Sequence, residues 1–166
     1  MIKRVKATKI GDVFEVPISP SQKRYIQYVV SDLTQLNSDV IRAFKRVYDI
    51  DDKPSLHDIV SDDVDFFMHT ATKLGIKMDL WSLYGNSDET GDYRHVVFRN
   101  SYDLGNPQVK ISERWYVWHV NDEDFEYVGK MSGKYRKSEM GLVFSPRGVV
   151  ERLKGENYLG VYPRFE

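Results

Sequence analysis

Apolar positions along this chain recur mostly at every second residue, the period of a strand with distinct faces. From Asp12 to Ile18, Phe14, Val16 and Ile18 fall on one side, and Val13, Glu15 and Pro17 on the other. A strand is therefore expected just after Gly11, ended by the turn residues Ser19-Pro20-Ser21. Lys23 to Val30 reads as a second strand, with Tyr25, Gln27 and Val29 on one face and Ile26, Tyr28 and Val30 on the other. Apolar residues on both faces place it centrally in a sheet, and the short gap makes the two strands a hairpin.

Val40 to Tyr48 fits two periods. Ile41, Phe44 and Tyr48 recur at helical spacing behind a Ser38-Asp39 cap, whereas Ile41, Ala43 and Val47 fit a strand face rich in β-branched residues. Both readings stay open. Asp49 to Asp65 is an acidic connector with seven Asp and one Lys, in which Ser55-Leu56-His57-Asp58 opens a short helical turn. Val64 to Thr72 is a strand. Leu74, Met78 and Trp81 at i, i+4 and i+7 predict a short amphipathic helix that stops at Gly85-Asn86.

Asn86 to Tyr93 is a polar loop. Strands are expected over Arg94 to Asn100 and Val109 to Val120, separated by a loop containing Gly105-Asn106-Pro107. Asn121-Asp122-Glu123-Asp124 turns the chain into a further strand, Phe125 to Val128. Gly141 to Phe144 is a short strand. Ser145-Pro146 then starts a helix with Ser at the cap and Pro at the first helical position, Val149, Val150 and Leu153 as its apolar stripe and Gly155 at its end. Tyr158 to Phe165 is aromatic enough to pack. With no repeat or linker, the expectation is one α+β domain over residues 1–166. Its core is a twisted, mostly antiparallel sheet, with barrel closure as one option, and two or three short helices.

Composition narrows the chemistry. The chain has 166 residues, no Cys and a formal charge of −1. Disulfides, thiol nucleophiles and Cys-based metal sites are excluded. A balance of 24 basic and 25 acidic residues disfavours a nucleic-acid partner. The basic start, Lys3, Arg4 and Lys6, is followed by no apolar run of signal-peptide length, and the longest apolar run is Trp115-Tyr116-Val117-Trp118. No membrane partner and a cytoplasmic location are expected.

Catalytic motifs are missing. There is no G-x-S-x-G elbow, no P-loop and no G-x-G-x-x-G. Asp49-Ile50-Asp51-Asp52 lacks the Gly and Glu of an EF-hand loop and reads as a solvated connector. Of the four histidines, His69, His95 and His119 lie on expected strands, as ordinary hydrogen-bonded side chains or as members of a three-dimensional site. No cofactor, metal or catalytic residue is assigned.

Two features remain. The acidic residues cluster: Asp58, Asp62, Asp63 and Asp65 in one connector, Asp122, Glu123, Asp124 and Glu126 in one hairpin. They either keep loops soluble or project a negative field toward a basic partner. Basic residues segregate as well, Lys3, Arg4, Lys6 and Lys9 at the start and Lys130, Lys134, Arg136 and Lys137 later. The second feature is Trp115-Tyr116-Val117-Trp118, whose three-residue spacing sends the two indoles to opposite faces, one for the core and one for packing or contact.

Lys9-Ile10-Gly11-Asp12-Val13-Phe14-Glu15-Val16-Pro17 resembles the opening of the immunity protein 26 family of bacterial polymorphic toxin systems. The similarity runs on through Tyr25-Ile26-Gln27-Tyr28 and Trp115-Tyr116-Val117-Trp118 to Gly141-Leu142-Val143-Phe144-Ser145-Pro146, nearly the whole chain. The resemblance implies an α+β fold and a non-enzymatic protective role, the neutralisation of a cognate protein toxin. Asp58, Asp62, Asp63, Asp65, Asp122, Glu123 and Asp124 are then expected to steer the partner, with Tyr116 or Trp118 as an anchor. An imitation of phosphate backbone would suit a nuclease toxin. Two other classes stand beside it. A carbohydrate or small-ligand module would stack its ligand on exposed Trp or Tyr. A hydrolase or nuclease would bring at least two His together with carboxylates in a pocket.

Overall fold

The computed structural model describes residues 4–156 and 163–166. β1 (Asp12–Pro17) and β2 (Gln22–Asp32) form the expected antiparallel hairpin, with Phe14 opposite Ile26. The ambiguous segment is strand: β3 (Ser38–Phe44) is hydrogen-bonded between β2 and β5 (Val64–Thr70), and β4 (Tyr48–Asp49) pairs with the start of β2. Between them, α1 (Leu56–Val60) is capped by the Ser55 hydroxyl, which accepts from the Asp58 N–H at 3.1 Å.

α2 (Thr72–Lys77) is shorter than its apolar spacing predicts, and Ser82–Asn86 is a strand, β6, where a helix stop was expected. The chain reverses at Asp79, whose φ is +55°, and folds Trp81 back over Gly75. A Cβ at Gly75 would collide with the Trp81 indole, whose Nε1 donates to the Thr72 carbonyl at 2.9 Å. The expected helical stripe is therefore a short helix plus a tryptophan lid.

β7 (Val97–Ser101), β8 (Trp115–His119), β9 (Glu126–Gly129) and β10 (Glu139–Met140) make a second sheet, in the order β10-β7-β8-β9. β8 occupies only the end of the strand expected over 109–120, because Val109 to Arg114 loops out and Ile111 bridges to Arg164. β11 (Val143–Phe144) joins the first sheet, whose order is β11-β5-β3-β2-β1-β6 with β4 beside β2. Residues 139–144 thus cross from one sheet to the other, pairing parallel with β7 and then with β5. α3 (Pro146–Leu153) follows its sequence signals, capped by the Ser145 hydroxyl at 3.2 Å from the Gly148 N–H and ended at Gly155 with φ +76°.

The fold is α+β with two open sheets, neither closed into a barrel. One face of the first sheet (Phe14, Ile26, Ile41, Met68) packs against Trp81 and the α3 residues Val149, Val150 and Leu153. The other face divides. Tyr25 and Phe44 pack against Ile59 and Val60 of α1, while Val40 and Phe67 pack against Phe98 and Trp118 of the second sheet. Each fully buried large apolar side chain contributes roughly 1.5–3 kcal/mol. Among the described residues no helix is long and apolar enough to cross a membrane. Of the aromatic tail, 157–162 lie outside the described residues, while Phe165 packs edge-on to Trp115 at 6.3 Å.

Candidate partner-binding surface

Strand alternation in β8 puts Tyr116 and Trp118 on one face, stacked at 5.9 Å, and Trp115 on the other. The expected division of the two indoles is therefore present, but both are covered. Trp115 is fully buried, and Trp118, 3% exposed, lies in the seam between the sheets. Trp118 is not a surface anchor: its Nε1 donates to Asp32 Oδ2 at 3.3 Å, and its ring stacks on Phe98.

Tyr116 stands where this aromatic row leaves the core. It is partly buried, and its phenol pKa is raised by that burial and by the neighbouring Tyr102. Its ring lies 4.6 Å from Phe125 and 4.9 Å from Tyr102, and Tyr102 lies 6.1 Å from Tyr127. Cross-strand register explains the grouping, because β9 places Tyr127 opposite Tyr116. Tyr102 is 50% exposed, Phe125 45% and Tyr127 58%. The Arg114 guanidinium lies over the Tyr102 ring at 5.5 Å. The result is a contiguous aromatic patch rooted in the core and open at its far end.

The acidic hairpin borders this patch. Asp122 caps the turn: its N–H donates to the His119 carbonyl, and its Oδ2 accepts from the His119 N–H at 2.9 Å. Asn121 holds φ +65°, a conformation its short amide side chain tolerates. Asn121 Oδ1 accepts from the Leu33 N–H at 2.8 Å, and its Nδ2 donates to the Ser31 carbonyl at 3.0 Å. Gln35 Nε2 donates to the carbonyls of Asp122 and Glu123. The β2–β3 turn of the first sheet thus holds the hairpin of the second, leaving the carboxylates of Glu123 and Asp124 in solvent and that of Asp122 exposed but engaged with His119. Leu33, 70% exposed, sits at this junction.

The two acidic groups do not form one surface. The connector carrying Asp58, Asp62, Asp63 and Asp65 meets the Phe44 end of β3, and the hairpin meets the turn beyond its Ser38 end. Seven residues of strand put about 20 Å between them. The connector is also tied to its own fold. Asp62 Oδ2 accepts from the Arg46 N–H at 2.8 Å, and Asp65 pairs with Arg24 at 2.8 Å. Asp58 and Asp63 are exposed. The acidic residues that border exposed aromatic rings are therefore Asp122, Glu123 and Asp124, with Glu126 beside them.

The histidines disperse. His69 is buried against Asp32, and His57 sits on the exposed face of α1. His95 and His119 are exposed and border one cavity of about 520 Å³ together with Asp122, Asp124 and Glu126. A joint site of His69, His95 and His119 is not assembled. Among the described residues no three His, Asp or Glu side chains are grouped to hold a metal.

Tyr116 and the hairpin carboxylates are the sequence-derived candidates that the structure brings together. Tyr102, Phe125 and Tyr127 escape sequence reasoning, because their membership depends on the β8–β9 register and on a loop folding back. The alternation of Phe125 and Tyr127 was the one available signal. Compared with models of known protein families, with curated proteins and with solved structures, the chain matches none.

Proposed function

We propose that this chain is a non-catalytic immunity protein that binds and neutralises a cognate bacterial toxin through the aromatic patch and acidic hairpin of its second sheet. The observation that carries this reading is the continuity of Tyr116, Phe125, Tyr102 and Tyr127 with Asp122, Glu123 and Asp124. Aromatic side chains supply contact area at low entropic cost and dominate interface hot spots. A carboxylate rim speeds encounter with a basic surface and selects against acidic ones. A nuclease toxin, with a cleft built to hold phosphates, has a surface of that sign. Such a complex would form in the cytoplasm of the producing cell. The connector carboxylates Asp58 and Asp63 contribute only at long range, since they lie at the other end of the first sheet.

The test is whether the gene beside this one encodes a toxin that this chain binds, read as co-purification and as protection of cells expressing that toxin. A stable complex and protection support the reading. Stacking of an oligosaccharide on the patch without toxin binding would favour a carbohydrate module. A hydrolase is the second reading, favoured by His95 and His119 sharing a cavity with carboxylates. It requires metal-dependent turnover that His119→Ala abolishes.

A further inference from the structure

The cavity beside the hairpin has a chemistry of its own. Its volume of about 520 Å³ falls within the roughly 300–1,000 Å³ of ligand pockets. Asp122, Asp124 and Glu126 line it with one lysine, Lys134, and two histidines, His95 and His119, the latter 3.4 Å from the Asp122 carboxylate, so with neutral histidines its formal charge is negative. These carboxylates are not equally occupied. Asp122 caps the turn, and Glu126 accepts from the Tyr135 hydroxyl at 3.1 Å. Asp124 makes no hydrogen bond or ion pair among the described residues, and its carboxylate is available. Phe125 belongs both to this cavity and to the aromatic patch, through its 4.6 Å approach to Tyr116.

We propose that this cavity is the seat of one arginine side chain of the partner protein. The inference rests on the partner-binding reading above and names what that partner inserts. An arginine fits better than a lysine, because a planar guanidinium stacks on an aromatic ring and offers paired donors to carboxylates. Here Phe125 supplies the ring, and Asp124 and Glu126 supply the acceptors. The carboxylates oppose an anionic ligand at the same place, and Lys134 offsets only one of their three negative charges. Because Phe125 is common to both, a partner covering the exposed aromatic rings has its arginine within reach of the cavity.

The test is an amide-resolved NMR titration of the full chain with N-acetyl-arginine-N-methylamide, against the neutral isostere N-acetyl-citrulline-N-methylamide. The arginine probe should shift amides between His119 and Glu126 and at Tyr135, the citrulline probe should not, and Asp124→Asn should weaken the response about tenfold. Equal responses to both probes, no response to either, or zinc ions shifting these amides in place of the arginine probe would overturn the arginine seat. Loss of the seat with partner affinity still sensitive to Tyr102 and Tyr127 leaves the broader reading standing. Loss of that sensitivity removes the broader reading itself.

Discussion

His69 Nε2 lies 2.8 Å from Asp32 Oδ2, and both side chains are fully buried between the two sheets. The contact draws in more than these two side chains. Trp118 of the second sheet donates to the same carboxylate oxygen, and Phe98 packs edge-on to the imidazole at 4.4 Å. Asp32 Oδ1 accepts from the Thr34 and Gln35 N–H groups at the start of the β2–β3 turn. One carboxylate therefore fixes the seam between the sheets and the turn that carries Gln35.

Burial alone would raise the Asp32 pKa, but the hydrogen bonds from His69, from the Gln35 backbone and from Trp118 overcome it and hold the carboxyl at about 2. A depressed carboxyl stabilises the fold above its unfolded value, about 4, and that stability is lost as pH falls toward 2. The contribution is on the order of 2 kcal/mol. Urea unfolding from pH 7 to pH 2 should show this acid limb, and Asp32→Asn should flatten it between pH 4 and pH 2. Removing only the partner is worse: His69→Ala leaves a buried carboxylate short of its donor and should destabilise by about 3–5 kcal/mol at pH 7.

Gly141 sits where residues 139–144 cross between the sheets. Its N–H donates to the Arg99 carbonyl at 2.7 Å, and its carbonyl accepts from Asn100 Nδ2 at 3.0 Å. An added Cβ would strike the Trp118 ring and approach the Arg99 carbonyl at 2.8 Å. Gly141→Ala should therefore lower the unfolding midpoint in urea by an amount worth about 1–3 kcal/mol, with an unchanged m-value.

The sequence made some of this legible and hid the rest for physical reasons. Ser145-Pro146 and Gly155 delimit α3 because caps are local chemistry. The β1–β2 hairpin was readable because each strand alternates within itself. Residues 38–48 were not, since a segment with both periods takes the structure its neighbours impose, and β2 and β5 impose strand. The helix expected over Leu74, Met78 and Trp81 forms but ends at Lys77, because Trp81 packs back on Gly75, a contact made by a chain reversal. At the site, charges are visible in sequence but distances are not: the acidic clusters read as one field and stand at opposite ends of a strand. Trp118 was misplaced because the burial of its face depends on the docking of the other sheet.

Gln35 and Asn121 hold the acidic hairpin without contacting the proposed partner side of it. Each exposed hydrogen bond is worth about 0.5–1.5 kcal/mol. Gln35→Ala, which removes two of these bonds, should loosen the hairpin locally and speed hydrogen exchange of the Asp122 amide. Global stability should fall by no more than about 1–3 kcal/mol, since the seam at Asp32 is untouched.

The central claim is that the exposed aromatic rings beside the hairpin contact the partner. Its most direct test is the dissociation constant for the product of the neighbouring gene, the proposed toxin, measured calorimetrically for the parent chain and for Tyr102→Ser/Tyr127→Ser. Both rings are more than half or half exposed, so the double variant should keep its unfolding midpoint. Binding should weaken at least about tenfold, or 1.4 kcal/mol. An unchanged dissociation constant in a folded double variant would contradict the account.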